Sequence, residues 1–239
     1  STGELSQVKI TKVKAIATTF LATCKVIEQA IQYGANLIIT HEPTFYGHTD
    51  ETDWLKGDPV YDAKRRLIAE HHIAIWRFHD YLHSLQPDCT VVGLIKALDW
   101  TDYTLPEQPF VCRLPPRSLH VLVHEIKSKL GLATVRVVGD MERTCETIGL
   151  LVGAGGGKMQ MGALGRLALD VLVCGEIHEW ETSEYVRDAL YLGQHKALVV
   201  IGHSVSEEDG MREIVTWLPT RIPGIPIMVI AAGHPLRSL

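Results

Sequence analysis

Short runs of apolar, β-branched residues alternate along the chain with longer segments whose apolar positions recur at helical spacing. That alternation predicts an α/β fold. Strands are expected at Lys14–Thr18, Leu37–Thr40, Ile73–Phe78, Ile148–Val152, Val171–Cys174, Leu198–Ile201 and Ile227–Ala231. A helix is expected at Thr23–Tyr33, where Val26, Ile27, Ala30 and Ile31 share a face and Gly34 ends the segment as a C-terminal cap. Asp62–His72, Ser118–Leu130 before Gly131, and Ser183–Tyr191 before Gly193 read as further amphipathic helices, and Glu207–Leu218 as another.

The order of these elements carries a faint internal repeat. Ala15-Ile-Ala-Thr-Thr, a helix, Gly34-Ala-Asn-Leu-Ile-Ile-Thr and then His41-Glu42 form one unit. Ile148-Gly-Leu-Leu-Val, a helix, Ala168-Leu-Asp-Val-Leu-Val-Cys and then Gly175-Glu176 form another. The stretch Thr104–Pro116 contains four prolines and is expected to separate two halves. The whole of 1–239 then reads as one unit of two lobes, about 1–104 and 105–239, with the C-terminal strand free to return to the first lobe.

Composition narrows the class. Hydrophobic residues at 46% against 21% charged describe a globular chain and exclude intrinsic disorder. A net charge of −5 offers no basic field for nucleic acid or an anionic membrane. No apolar run approaches the roughly 20 residues needed to span a bilayer, and no basic segment followed by an apolar stretch opens the chain. The five cysteines are odd in number and scattered without a C-x-x-C, which argues against a disulfide scaffold or a thiolate zinc site and fits a reducing cytoplasm. The unusual count is histidine, with twelve, several of them beside acidic residues.

In open α/β sheets ligands bind at the carboxyl ends of the strands. Five expected strands end in such chemistry: His41-Glu42, His79-Asp80, Gly175-Glu176, Gly202-His203 and Gly233-His234. Each alone is an ordinary loop feature; all five are expected to meet on one rim. Imidazole and carboxylate without thiolate suit Zn, Mn, Fe, Co or Ni, and the chain has ligands enough for two ions. A two-metal site polarises a substrate oxygen and lowers the pKa of a bound water toward neutrality. His203 and Glu207 are four residues apart and face the same way if helix begins early enough. Ser204-Val-Ser-Glu207 also reads as a capping box, with Glu207 satisfying a backbone N–H, and local sequence leaves both readings open.

Other chemistries fit less well. Gly153-Ala-Gly-Gly-Gly-Lys158 follows a strand like a phosphate loop, but Lys158 stands where the third glycine of G-x-G-x-x-G belongs and Met159 replaces the P-loop Ser/Thr. It can hold an anion through backbone N–H groups; a tight structural turn is the expectation. No G-x-S-x-G elbow is present for a serine hydrolase, and Cys174 ends a strand that reads as buried and structural.

Gly34-Ala-Asn-Leu-Ile-Ile-Thr-His-Glu-Pro-Thr-Phe45 and Gly202-His-Ser-Val-Ser-Glu207 resemble the two signature segments of the NIF-three-like family. The likeness extends through Arg77-Phe-His-Asp-Tyr-Leu-His83 and Asp170-Val-Leu-Val-Cys-Gly-Glu176 and so covers nearly the whole chain. Members are dinuclear-metal hexameric proteins, often labelled GTP cyclohydrolase 1 type 2 homologues. The resemblance implies two similar α/β lobes with the metal site in the cleft between them, and a toroidal homohexamer. The family carries a His-His pair, an Asp and a His-x-x-x-Glu whose Glu bridges two metals. Carried over, the ligands are His41, Glu42, His83, His203 and Glu207, which favours the ligand reading of Glu207. Glu42 stands in place of the second His and His83 in place of the Asp, with Asp80 close by as a competing ligand. The chain also begins almost at its first strand, ahead of which the family usually has a helical segment.

The expectation is thus a cytoplasmic protein binding two divalent ions, His41 and His203 holding one, Glu42 and His83 the other, Glu207 bridging. Its use would be metal-dependent hydrolysis of a small metabolite, cyclohydrolase-like or phosphoester, with Glu176, Asp80 or His79 as general base or as a partner orienting a ligand. A ring-forming adaptor that binds metal without catalysis is the alternative.

Overall fold

A computed structural model describes residues 10–236; the expected span 1–239 reaches beyond them at both ends. In chain order the elements are β1 (Ile16–Thr19), α1 (Cys24–Tyr33), β2 (Leu37–Thr40), α2 (Pro59–Glu70), β3 (Ala74–Arg77), α3 (Asp80–His83) and α4 (Cys89–Ala97). Then follow β4 (Thr104–Leu105), β5 (Gln108–Ser118), α5 (Leu119–Lys129), β6 (Arg136–Val138), β7 (Thr144–Leu151), α6 (Gly157–Arg166) and β8 (Val171–Cys174). The chain closes with α7 (Glu184–Tyr191), β9 (Ala197–Val200), α8 (His203–Arg221) and β10 (Ile227–Val229). No described helix is long and apolar enough to cross a membrane.

Two compact units form. One takes the chain up to Cys89 together with Gly210–Gly233; the other takes Thr90–Asp209 and the chain from His234. The first unit holds an all-parallel sheet in the order β10-β1-β2-β3. Its strands are apolar on both faces because helices cover both. Ala17, Ile38 and Ile75 pack against Val26, Ile27 and Ala30 of α1 and Ile68 of α2. Ile16 and Ile39 point the other way, against Leu82 and against Met211, Ile214 and Leu218 of α8. α1 forms as its pattern dictates: Thr23 caps it by accepting from the Val26 N–H at 3.1 Å, and Gly34 leaves it at φ +85°. α2 starts three residues before the expected Asp62, because Asp58 accepts from the N–H groups of Val60 and Tyr61 and Pro59 sits at the first helical position.

The second unit holds a mixed sheet in the order β4-β5-β7-β8-β9-β6, with β7, β8 and β9 parallel. One face packs on Leu94 of α4, Trp100, and Leu122 and Ile126 of α5; the other on Leu164 of α6 and Val186 of α7. The proline-bearing stretch Thr104–Pro116 is not a separator. It forms β4 and most of β5, and the register of β5 on β7 shifts between Arg113 and Arg117, where Pro115 and Pro116 sit. The units therefore part at 89/90, ahead of the expected residue 104, because α4 buries Val91, Leu94 and Ile95 in the second core. β1-α1-β2 and β7-α6-β8, the two segments of the internal repeat, are both parallel β-α-β arrangements.

Candidate metal centre

In the first unit the parallel ladder runs on past the strands. The His41 N–H donates to the Thr19 carbonyl at 3.1 Å, Glu42 to Phe20 at 2.9 Å, and Phe78 to Thr40 at 2.8 Å. These bonds fix His41 and Glu42 at the end of β2 and deliver His79 just after β3. α3 then makes one turn: His83 N–H donates to the His79 carbonyl, and the two rings meet edge-on at 4.7 Å. His41 is fully buried, stacks on His79 at 4.5 Å and meets His83 at 5.0 Å. One ligand-capable atom from each of His41, His79 and His83 lies within 4.8 Å of the others. Glu42 Oε1 is 3.9 Å from both His41 Nε2 and His79 Nε2.

Carboxylates stand behind two of these rings. Asp80 Oδ1 is 2.8 Å from His79 Nδ1, and Asp88 Oδ2 is 2.8 Å from His83 Nδ1. A proton shared there leaves Nε2 with its lone pair, the arrangement in which imidazole binds metal. Burial holds the His79 pKa below the usual histidine range; His41 and His83 add to the depression, while Asp80 and Glu42 oppose it. His79 is therefore neutral and able to ligate near neutral pH.

In the second unit three strand ends are zipped together beyond their ladders. Gly175 N–H donates to Leu151 O, Glu176 N–H to Gly153 O, and Gly202 N–H to Gly175 O. α8 starts directly from this platform at His203. His203 Nε2 lies 3.0 Å from Glu207 Oε2 one turn on, and His203 Nδ1 lies 3.3 Å from Glu176 Oε2. Glu207 is only 2% exposed. Ser206 Oγ donates to the His203 carbonyl at 2.7 Å and accepts the Gly153 N–H at 2.9 Å. The platform must be glycine: a Cβ on Gly175 would lie 2.6 Å from Ser206 Oγ, and one on Gly153 would lie 2.2 Å from Glu207 Oε1.

The expected strand ends come from two sheets, β2 and β3 from one and β8 and β9 from the other. The capping-box reading of Glu207 fails because α8 begins at His203, so Ser204 lies inside the helix and Glu207 faces His203. The glycine-rich loop leads into α6, and the Gly157 N–H at the start of that helix donates to the Glu181 carboxylate at 3.1 Å. His234 lies against Gly202, its ring 2.9 Å from where a Cβ there would sit, with its Nδ1–H donating to the Leu236 carbonyl at 2.9 Å. Cys174 is buried and its thiol is pushed up to about 12, which suits a structural role. The pattern reading passed over Asp88, five residues beyond His83 with no periodic signal, and His48, whose ring meets His79 edge-on at 5.8 Å.

Strand ends that present histidines backed by carboxylates give this α/β chain clusters of side chains suited to holding a divalent metal ion. The chain belongs to the Duf34/NIF3 (NGG1p interacting factor 3) family, which matches residues 6–235. It is 25% identical over 198 residues to a GTP cyclohydrolase 1 type 2 homolog of Clostridium perfringens (strain 13 / Type A), covering 77% of this chain and 70% of that one. Its fold is similar to the crystal structure of a Bacillus cereus protein related to NIF3, with a TM-score of 0.78 at 16% identity, over 99% of this chain and 92% of that one. The Staphylococcus aureus protein SA1388 gives a TM-score of 0.75 at 18% identity, over 95% and 88% of the two chains.

Proposed function

We propose that the protein binds two divalent metal ions and uses them to hydrolyse a small metabolite in the cytoplasm, as a homohexamer. One observation carries the metal reading: three imidazoles gathered within 4.8 Å of one another, two of them held through Nδ1 by a carboxylate. The donor set fits a borderline divalent ion such as Zn, Fe, Mn, Co or Ni, since it offers nitrogen and carboxylate oxygen. The residues that would hold metal are His41, Glu42, His79 and His83 from the first unit and His203 and Glu207 from the second.

When bound, such ions polarise a substrate oxygen and bring a water within reach of neutral deprotonation. The chain's own groups do the rest. Asp80 and Asp88 hold the Nδ1 protons of His79 and His83, and Glu176 holds that of His203, so each Nε2 stays a lone-pair donor with a fixed aim. Glu176, whose side chain is 54% exposed, is also placed to accept a proton from an entering substrate. The name of the Clostridium perfringens relative points to a ring-opening hydrolysis, and the chain's acidic balance favours a small substrate over a polyanion. Five free thiols suit a reducing compartment.

The test is metal analysis of the purified chain followed by turnover assays on cyclic nucleotide-like and phosphoester substrates. About two ions per chain and turnover abolished by chelator are expected. Bound metal with no turnover across the panel would instead favour a metal-holding adaptor, and a chain that takes up no metal would overturn the proposal.

A further inference from the structure

Helix α2 turns a stripe of Tyr61, Lys64 and Ile68 inward, all three buried. Tyr61 and Ile68 belong in such a stripe; a lysine only 2% exposed does not. Removing an ammonium from water costs several kcal/mol unless strong partners replace the solvent. The partners here come from one short piece of chain. Lys64 Nζ donates to the Thr44 carbonyl at 2.5 Å and lies 5.6 Å from the Phe45 ring centre and 5.3 Å from that of Tyr46. These residues are consecutive and start two positions beyond Glu42.

The same segment is held on its other side. Asp50 accepts the N–H of Thr44 at 3.1 Å and that of Phe45 at 2.7 Å, so residue 44 is gripped at its N–H by an anion and at its carbonyl by a cation. The Phe45 ring meets Tyr61 edge-on at 4.9 Å, and Arg77 of β3 donates to the His48 carbonyl at 2.5 Å. Tyr46 and Asp50 both have positive φ, +45° and +54°, in a stretch without helix or strand. Such backbone persists only where its surroundings over-determine it. A Met or Leu at 64 would fill the core at lower desolvation cost, but neither could bond the Thr44 carbonyl.

We infer that Lys64 is a positioning residue for metal binding: its ammonium fixes the backbone just after His41 and Glu42 and so sets where those two ligands point. The inference rests on the reading of His41 and Glu42 as ligands. Metal–ligand distances tolerate only about 0.2 Å, and a loop left to itself does not hold that tolerance.

The experiment uses the full chain, Lys64→Met and Lys64→Arg, with Zn2+ alone as the probe. Three quantities are read: Zn2+ affinity by chelator competition, hydrogen exchange at the Thr44 and Phe45 amides without metal, and the thermal midpoint. Losing a charge-assisted hydrogen bond corresponds to about tenfold or more in an equilibrium. Lys64→Met is expected to weaken Zn2+ and speed exchange at both amides by about that factor, with the thermal midpoint unchanged or raised, and Lys64→Arg to recover most of both. Unchanged affinity and exchange in Lys64→Met would make Lys64 an ordinary core residue and overturn the inference while leaving the metal reading intact. A parent chain that takes up no Zn2+ would refute the metal reading and the inference with it. If Lys64→Met does not fold, Lys64→Gln, which keeps a donor without the charge, supplies the same readings; parental affinity and exchange there refute the charge-based role.

Discussion

Replacing Gly153 by Ala tests whether Glu207 is held where a metal ligand must be. The new Cβ would lie 2.2 Å from Glu207 Oε1 and 2.9 Å from its Cδ. Ordinary contact for such atoms begins near 3.5 Å, so the carboxylate must retreat by roughly 1 Å. Glu207 has little room to do so, being 2% exposed and held 3.0 Å from His203 Nε2. A retreat of that size is several times the approximately 0.2 Å tolerance of a metal–ligand bond. The backbone adds its own penalty, because Gly153 has φ +62°, where an alanine costs about 1 kcal/mol or more. Gly153→Ala is therefore expected to lose a modest part of its stability and nearly all high-affinity metal binding. Thermal denaturation without metal reads the first effect; chelator competition and elemental analysis read the second. A Gly153→Ala chain that keeps the parent's metal affinity would show that Glu207 is not a ligand, or that its position is unimportant.

Glu207→Ala should leave the fold intact and cripple both metal positions; elemental analysis of mutant and parent decides it, and unchanged stoichiometry would remove Glu207 from the site. Glu42→His and His83→Asp should each weaken or reselect the bound metal, yet the double change should recover more affinity than their separate effects predict; simple additivity would mean that the two residues do not share an ion. Burial lowers the Lys64 pKa from 10.5 to about 8, so the folded chain releases this proton before the unfolded chain does. That penalty is fully present below about pH 8 and is relieved as pH rises toward 10.5, a difference of about 3 kcal/mol. Denaturant titrations at pH 7.5 and pH 10 should therefore give a parent-minus-Lys64→Met stability difference that moves in the parent's favour by about 2 kcal/mol, and no movement would refute the buried-charge account. Light scattering should give a mass near six chains; a monomer at micromolar concentration would refute the hexamer.

The positions of the chemistry were legible in the chain because a strand is a short, sharply bounded signal. Leu37–Thr40 and Val171–Cys174 form as their apolar runs predict, so His41, Glu42 and Glu176 fall just past strand ends by counting alone. α1 was equally plain, because its cap, stripe and terminal glycine agree. β5 was hidden: Pro109, Pro115 and Pro116 read as a break, but a strand next to a short partner with a shifted register accommodates them. α8 was placed four residues late, because its start depends on the Gly175–Gly202 bond that sets the strand ends, not on a local cap.

What the sequence by itself determined is the class of chemistry and its approximate addresses, since residue type and strand periodicity are local properties. Only the tertiary structure decided the contacts. Glu207 reads as a helix cap until the start of α8 at His203 turns it toward His203 instead. Asp88, outside the motif that ends at His83, became the partner of that histidine through folding. Lys64 is buried where the loop after His41 and Glu42 packs on it, a contact between segments twenty residues apart that no local pattern records.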